Sequence, residues 1–176
     1  MIEQAIEGSF LIAHPRSETH YFSKTLIYIL ENNSEGSLGF IVNRSAGASL
    51  GEVLDHAPDQ MTNETLLIGG PVQSDCLRFL SVCTNDQLSL PPKLIPDLGA
   101  AAELGQTDDY AILPLLGYAG WDKGQLEQEI SEDLWLIVTI DWMMLLSAPE
   151  AERYELGSSQ LGFDPALIGL SSEHLQ

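Results

Sequence analysis

The stretch at residues 115–128 reads Leu-Leu-Gly-Tyr-Ala-Gly-Trp-Asp-Lys-Gly-Gln-Leu-Glu-Gln and organises the predicted fold. It follows an apolar run at residues 110–116, which is typical of a buried strand. Asp122 and Gln125 have the capping-box spacing, so we predict a helix that begins at Asp122. Glycines between the strand and the helix predict a tight turn. These glycines are Gly117, Gly120 and Gly124.

Outside this stretch, the clearest local signal is a hairpin. Residues 25–30, Thr-Leu-Ile-Tyr-Ile-Leu, are rich in strand formers, and residues 38–42 form a second such run. The cluster Asn-Asn-Ser-Glu-Gly at residues 32–36 predicts the turn between them.

Other strands and helices alternate without the regular order of a doubly wound sheet. Further strands are predicted at residues 9–13, 65–68, 77–82 and 134–140, the last one buried on both faces because it is almost wholly apolar. Helices are predicted to begin after Ser49, Asp97 and Asp141. This mixture favours a single α+β domain around a mixed sheet.

Length and composition predict one domain in the cytoplasm. The chain has 176 residues, 44% of them hydrophobic, which is enough for one core. We assign residues 1–170 to the domain and the polar residues 171–176 to a frayed tail. No apolar run has the length of a membrane span, and the N-terminal residues lack a signal-peptide pattern, so no membrane association is expected.

The two cysteines, Cys76 and Cys83, lie in one predicted strand. Their odd separation places them on opposite faces, roughly 23 Å apart in a straight strand, so no disulfide is expected between them. Reduced thiols agree with a cytoplasmic location. Both are predicted to be small buried side chains rather than nucleophiles.

The charge balance argues against direct nucleic-acid binding. Seven basic residues stand against 26 acidic ones, which gives a net charge of −19. Phosphate recognition draws on clustered Lys and Arg, and here the cations are scattered along the sequence. The acidity has two open explanations, solubility or a salty habitat on one side and an acidic docking surface on the other.

Four glycine-containing motifs occur in a fixed order along almost the whole chain. They are Gly8–Ala13, Gly39–Arg44, Gly69–Val72 and Gly117–Trp121, the last continued by Gly124–Ile130. Together these motifs resemble those of the AlgH/YqgE family of bacterial proteins. The sequence departs from the family pattern at His14, where methionine is usual, and at residues 75–79, which replace an acidic-Arg-Gly-Phe run.

The resemblance implies a compact α+β domain with a bent, partly barrel-like mixed sheet flanked by helices. It implies no catalytic residues. The family name refers to a proposed role in regulating alginate genes, and we expect any such role here to be indirect.

The glycine-rich segment Gly69, Gly70 and Pro71 is one candidate binding element. Its backbone N–H groups could receive an anion, as glycine-rich nests do. The alternative is a tight connection between two strands that needs unusual backbone angles at glycine.

Two other candidates lie at strand ends. Asn43 and Arg44 end a strand, and the Arg44 guanidinium could bind a carboxylate or phosphate, or pair with one of the acids of the chain. Tyr118 and Trp121, with Gly120 between them, could anchor a protein partner, or Trp121 could fasten the turn to the core.

The sequence favours a non-enzymatic binding or regulatory module that recognises a protein partner or a small anionic ligand. No spacing of His or Cys predicts a metal site, and no cofactor is expected. The sequence leaves the oligomeric state open. The alternative is a hydrolase whose constellation includes Arg44, Glu127 and a histidine such as His14.

Overall fold

The structure is a computed structural model that describes residues 5–15 and 20–168. Its strands are β1 (Phe10–Ala13), β2 (Leu26–Asn33), β3 (Gly36–Ile41), β4 (Ser45–Ser49), β5 (Thr65–Ile68), β6 (Val72–Cys83), β7 (Lys93–Ile95), β8 (Tyr110–Asp122) and β9 (Trp135–Val138). Its α-helices are α1 (Leu50–Val53), α2 (Leu98–Gly105), α3 (Gln125–Ser131), α4 (Trp142–Ser147), α5 (Arg153–Ser159) and α6 (Pro165–Ile168).

The described residues form two compact units. The first unit contains the residues up to Asn43 and those from Gly120 onward, and the second unit contains Arg44–Ala119. Strand β8 therefore passes from the second unit into the first along the chain. The predicted tail at residues 171–176 and the predicted domain end at residue 170 lie outside the described residues, and the domain bounds stay a prediction.

The first unit is built on antiparallel strands in the order β9, β1, β2 and β3. All four residues of β1 and the first four of β2 are buried, because these strands are continuous runs of apolar and aromatic side chains. The rings of Phe10, Tyr28 and Trp142 pack with centroids 4.9–5.1 Å apart. Trp142 thereby joins α4 to the sheet.

The predicted hairpin is present and longer than expected. Asn33 pairs with Gly36, so the connection between β2 and β3 contains two residues only. A register shift between Ile29 and Glu31 marks a bulge, which bends a strand and increases its twist.

The second unit is a mixed sheet in the order β4, β5, β8, β6 and β7. The pair β5 and β8 is parallel, and the other pairs are antiparallel. One face of this sheet packs on α1, α2 and a short 3-10 helix. The buried residues of that cluster are Leu50, Met61, Phe79, Ala101 and Ile112.

Three predicted helix starts are confirmed. Glu52 completes the capping box of Ser49 at α1. Asp97 and Asp141 accept backbone N–H bonds from Ala100 and Met144 at 2.8 and 3.1 Å, at the starts of α2 and α4. Each of these caps involves groups three residues apart, which is why the sequence alone could predict them.

The predicted turn after Leu116 is wrong, because β8 continues as a strand to Asp122. Gly117 adopts a φ of 72° opposite a bulge of β6, so this glycine bends the strand without ending it. Helix α3 is capped by Gly124 at a φ of 73° instead of Asp122. Half of the predicted capping interaction remains, since the Asp122 N–H donates to Gln125 Oε1 at 2.9 Å.

Two predictions of burial also need correction. Cys76 is exposed and Cys83 is half-buried, because the bulge of β6 lifts Cys76 out of the regular strand; both thiols are free. Strand β9 covers only four residues, and its two central residues, Leu136 and Ile137, are half-buried.

Candidate functional site

The residues predicted from sequence to bind a ligand or partner fall in both units. Asn43, Gly120 and Trp121 belong to the first unit. The others, Arg44, Gly69, Gly70, Pro71 and Tyr118, belong to the second unit.

In the first unit, both ends of the Asn43 side-chain amide hold the start of β2. Its Oδ1 accepts the N–H of Leu26 at 2.8 Å, and its Nδ2 donates to the carbonyl of Lys24 at 2.9 Å. Lys24 has a positive φ of 54°, so the amide holds a backbone conformation that side chains disfavour. These contacts favour a structural role for Asn43.

Trp121 is 7% exposed and takes part in a carboxylate clamp. Its Nε1 donates to Glu129 Oε2 at 2.9 Å, and the Nε1 of Trp135 donates to the same oxygen at 2.7 Å. The two indole rings meet edge to face at 5.8 Å. This geometry favours the alternative in which Trp121 fastens β8 to α3 and β9, whereas the neighbouring Gly120 is exposed.

A second internal anchor, Arg153, was missed by the sequence analysis. This arginine is buried, and it donates to the carbonyls of Leu145, Ala148 and Val42 at 2.8–3.2 Å. Burial lowers the pKa of Arg153, and the nearby Glu150 carboxylate opposes this effect. Arg153 therefore joins the end of α4 to the end of β3 by a charge-assisted network.

In the second unit, the predicted residues gather at one end of the sheet. The N–H of Ile68 donates to the Arg44 carbonyl at 2.8 Å, and the N–H of Gly69 donates to the Leu116 carbonyl at 2.7 Å. Leu116 in turn pairs with Leu77 of β6. Arg44, the glycine-rich segment and the bulged part of β6 thus follow one another across this end of the sheet, with β8 between β5 and β6.

The glycine-rich segment is required by close backbone contact. A Cβ at Gly70 would overlap the backbone of Tyr118, and a Cβ at Gly117 would overlap the carbonyl of Gly70. The N–H of Gly69 is already used by β8. The segment is therefore a tight connection between strands, as in the structural alternative. The reason is the close approach of β8, since neither Gly69 nor Gly70 has a positive φ.

The guanidinium of Arg78 lies over the ring of Tyr118, 5.0 Å from its centroid. It also donates to Gln73 Oε1 and to the Cys76 carbonyl. We name Arg78, Tyr118 and residues 73–76 the Arg78 surface. Arg78 lies in the stretch 75–79 that departs from the family pattern, and the sequence did not predict it as a binding residue because its contact with Tyr118 depends on the bulge of β6.

The bulge itself is well defined. Val72 pairs with Tyr118, and Leu77 pairs with Leu116, so β6 has four residues between these pairs where β8 has one. Gln73 lies in the left-handed region with a φ of 47°, and residues 73–76 are exposed. Non-glycine residues with such backbone angles are uncommon and cluster at functional sites.

A groove begins beside Arg78 and runs between the end of β7 and the start of α2. It has a volume of about 410 Å³. Its lining residues are Leu77, Arg78, Phe79, Leu94, Ile95, Pro96, Asp97 and Leu98.

Within residues 5–15 and 20–168, no group of three or more His, Cys, Asp or Glu is arranged to hold a metal ion. No helix in the same part of the chain is long and apolar enough to span a bilayer.

The strands and helices define an α+β protein with parallel and antiparallel strand pairs. At one end of the sheet of the second unit, the Arg78 surface lies beside an apolar groove. A family model described as AlgH-like matches residues 10–166. Relatives include a UPF0301 protein of Photobacterium profundum, 31% identical over 96% of this chain and 98% of the relative. A UPF0301 protein of Chromobacterium violaceum is 32% identical over 97% of both chains. The chain belongs to the AlgH-like family.

Solved structures support the same conclusion. The solution structure of the AlgH protein from Pseudomonas aeruginosa matches with a TM-score of 0.73 and 28% identity, covering 96% of this chain and 97% of that one. A crystal structure of a protein from Corynebacterium diphtheriae has the same fold, with a TM-score of 0.63 at 21% identity over 78% of both chains. The predicted fold class, α+β with a mixed sheet and helices, is confirmed.

Proposed function

We propose that this protein is a non-enzymatic binding module that recognises an anionic group at the Arg78 surface. The anionic group belongs to a small ligand or to a protein partner. The proposal rests on one observation, the cation of Arg78, which is stacked on Tyr118 and has the neutral Gln73 side chain and the Cys76 carbonyl as its hydrogen-bond acceptors.

The charge of the whole chain makes this arrangement informative. With 26 acidic residues and seven basic ones, cations are scarce in this chain. Among the described residues, the partners of Arg78 are an amide oxygen, a backbone carbonyl and a ring. A guanidinium held in this way presents its remaining donors in a planar fork that matches a carboxylate or phosphate.

The surroundings of Arg78 restrict its motion. Stacking on an aromatic face and two hydrogen bonds fix the guanidinium plane, so less conformational entropy is lost when an anion binds. Arg44 lies on the same end of the sheet, and we include it as a secondary contributor.

We further propose that any regulatory role acts through this binding event in the cytoplasm, without direct contact with nucleic acid or membrane. The net charge of −19 opposes both of those surfaces. The hydrolase alternative gains no specific support, since Glu127 is exposed on α3 and His14 is 5% exposed.

The test is a thermal-shift screen against nucleotides, phosphorylated sugars, carboxylates and acidic peptides. The native chain is compared with Arg78→Ala, Arg44→Ala and the control Lys93→Ala, which removes an exposed cation of β7. A ligand at a hundred times its Kd stabilises the folded state by about 2.7 kcal/mol. We expect this gain to vanish in Arg78→Ala and to persist in Lys93→Ala.

Two results would contradict the proposal. One is a shift of equal size in Arg78→Ala, and the other is the lack of a shift throughout the library. Conversion of the ligand by the native chain, lost in Arg78→Ala, would instead make the same site catalytic.

A further inference from the structure

The groove beside Arg78 has the size and lining of a small-molecule site. Its volume of about 410 Å³ lies within the usual range for such sites, roughly 300–1,000 Å³. Six of its eight lining residues are apolar, namely Leu77, Phe79, Leu94, Ile95, Pro96 and Leu98.

The walls of the groove are held by the core. Phe79 is 4% exposed and belongs to the buried cluster of the second unit, and Leu77, Ile95 and Leu98 pack against that cluster. Leu94 at the rim is 37% exposed. The groove therefore combines a firm floor with accessible apolar surface, which an apolar body could cover with a gain of about 25 cal/mol per Å².

Two opposite charges line the groove without pairing with each other. The contacts of Arg78 are those of the Arg78 surface, and the Asp97 carboxylate accepts the N–H of Ala100 at 2.8 Å as the cap of α2. Arg78 attracts one anionic group, whereas the Asp97 carboxylate repels a second anionic group in the same groove. The groove thus complements a single negative charge joined to an apolar body.

We infer that the ligand of the Arg78 surface is an amphipathic monocarboxylate. Its carboxylate contacts the Arg78 guanidinium, and its hydrocarbon part lies along Leu77, Phe79 and Leu94. This inference rests on the proposed function and adds the chemical class of the ligand. The same chemistry is carried by a free organic acid and by the C-terminal residue of a peptide with an apolar last side chain.

The test compares acids that differ only in their apolar part or their charge. Acetate, butanoate, hexanoate and the diacid adipate are titrated against the full chain, and affinities are taken from amide chemical-shift changes. We expect affinity to increase along the series of monoacids by at least about tenfold from acetate to hexanoate, and by up to about two-hundredfold if all four added CH₂ groups are fully buried at about 0.8 kcal/mol each. Adipate should bind more weakly than hexanoate.

Two variants distinguish the contribution of the ligand's carboxylate from that of its hydrocarbon part. Arg78→Ala should weaken all four acids. Leu94→Asn, which keeps the size of the side chain and adds no charge, should weaken the dependence on chain length and change acetate binding little. Leu88→Asn is the matched control, since Leu88 is 45% exposed and lies outside the groove residues, and it should retain the dependence.

The source of the carboxylate is decided by a short peptide ending in leucine, tested as the free acid and as the amide. Tighter binding of the free-acid peptide than of hexanoate identifies a peptide terminus, and the reverse order identifies a free acid. Equal affinity for acetate and hexanoate, or a chain-length dependence unchanged in Leu94→Asn, overturns this inference alone. If Arg78→Ala binds all four acids as tightly as the native chain does, the proposed function is overturned as well.

Discussion

At the scale of single residues, the fold depends on individual side chains and glycines that contact residues far away in sequence. Gly70 allows the backbone of β8 to approach, and Arg153 reaches a carbonyl 111 residues away at Val42. Tyr28 is buried between Phe10 and Trp142. Each of these contacts leads to an effect that can be measured by substitution.

The close approach at Gly70 predicts a large loss of stability in Gly70→Ala. The added Cβ would overlap the backbone of Tyr118, and a backbone cannot move aside as a flexible side chain does. We expect the free energy of unfolding in urea to fall by at least about 2 kcal/mol. Gly105→Ala is the control, because its Cβ would make an ordinary contact at 3.4 Å with Ile112. Equal stability of the two variants would contradict the close approach.

The burial of Tyr28 predicts a loss of stability at high pH. Burial, with a smaller contribution from Glu7, raises the pKa of Tyr28 to about 12 from 10.0. The unfolded chain therefore loses this proton first, so stability is fully present below pH 10 and decreases as the pH rises towards 12. Unfolding free energies measured across this range should fall more steeply for the native chain than for Tyr28→Phe. Parallel curves for the two proteins would show that Tyr28 ionises equally in both states.

At the scale of elements, the joints between helices and strands use polar groups. The Glu129 carboxylate on α3 accepts the indole N–H groups of Trp121 from β8 and Trp135 from β9. The Nε2 of Gln125 donates to the other oxygen of Glu129 at 2.9 Å, one turn earlier on the same helix. A single carboxylate therefore connects three elements of the first unit.

This clamp predicts different effects for two glutamates on the same helix. Glu129→Ala removes the acceptor of the buried indole N–H groups of Trp121 and Trp135. We therefore expect the free energy of unfolding to fall by about 3 kcal/mol. Glu127→Ala, at an exposed position of α3, should change stability by less than about 0.5 kcal/mol. Chemical denaturation followed by tryptophan fluorescence measures both. Similar losses in the two variants would show that helix propensity, and not the clamp, dominates.

The elements also show how far local sequence can be used to predict structure. The hairpin of β2 and β3 and the caps at Ser49, Asp97 and Asp141 were predicted, because each depends on residues a few positions apart. The end of β8 was predicted wrongly, because Gly117 resembles a turn residue in sequence. Its real role depends on the pairing of β8 with β6, which local sequence does not reveal.

At the scale of the whole molecule, charge is the dominant property. The excess of 19 negative charges repels phosphate backbones at long range. Membership of the AlgH-like family establishes the fold class, whereas the anion site at Arg78 and its ligand are our proposals.

The charge predicts that the protein does not bind DNA directly. In a titration against a labelled duplex, we expect no binding at low salt, where electrostatic attraction would be strongest. A basic DNA-binding domain of similar size serves as the positive control. An affinity that falls steeply with added salt would contradict this prediction and would require a cluster of cations that the sequence lacks.

The sequence by itself determined the family, the fold class, the hairpin and three helix caps, those at Ser49, Asp97 and Asp141. These follow from motif order, from alternation of residue types and from contacts within a few residues, all of which are properties of the linear chain. The binding role of Arg44, Gly69, Gly70, Pro71 and Tyr118 stays a prediction, and the close contact at Gly70 favours a structural role for the glycine-rich segment.

Only the tertiary structure decided which polar groups meet. It placed Arg78 over Tyr118 beside an apolar groove, and Trp121 on the Glu129 carboxylate. The physical reason is that strand pairing and a bulge bring together residues that are distant in sequence, and burial then determines which of their hydrogen bonds must be made.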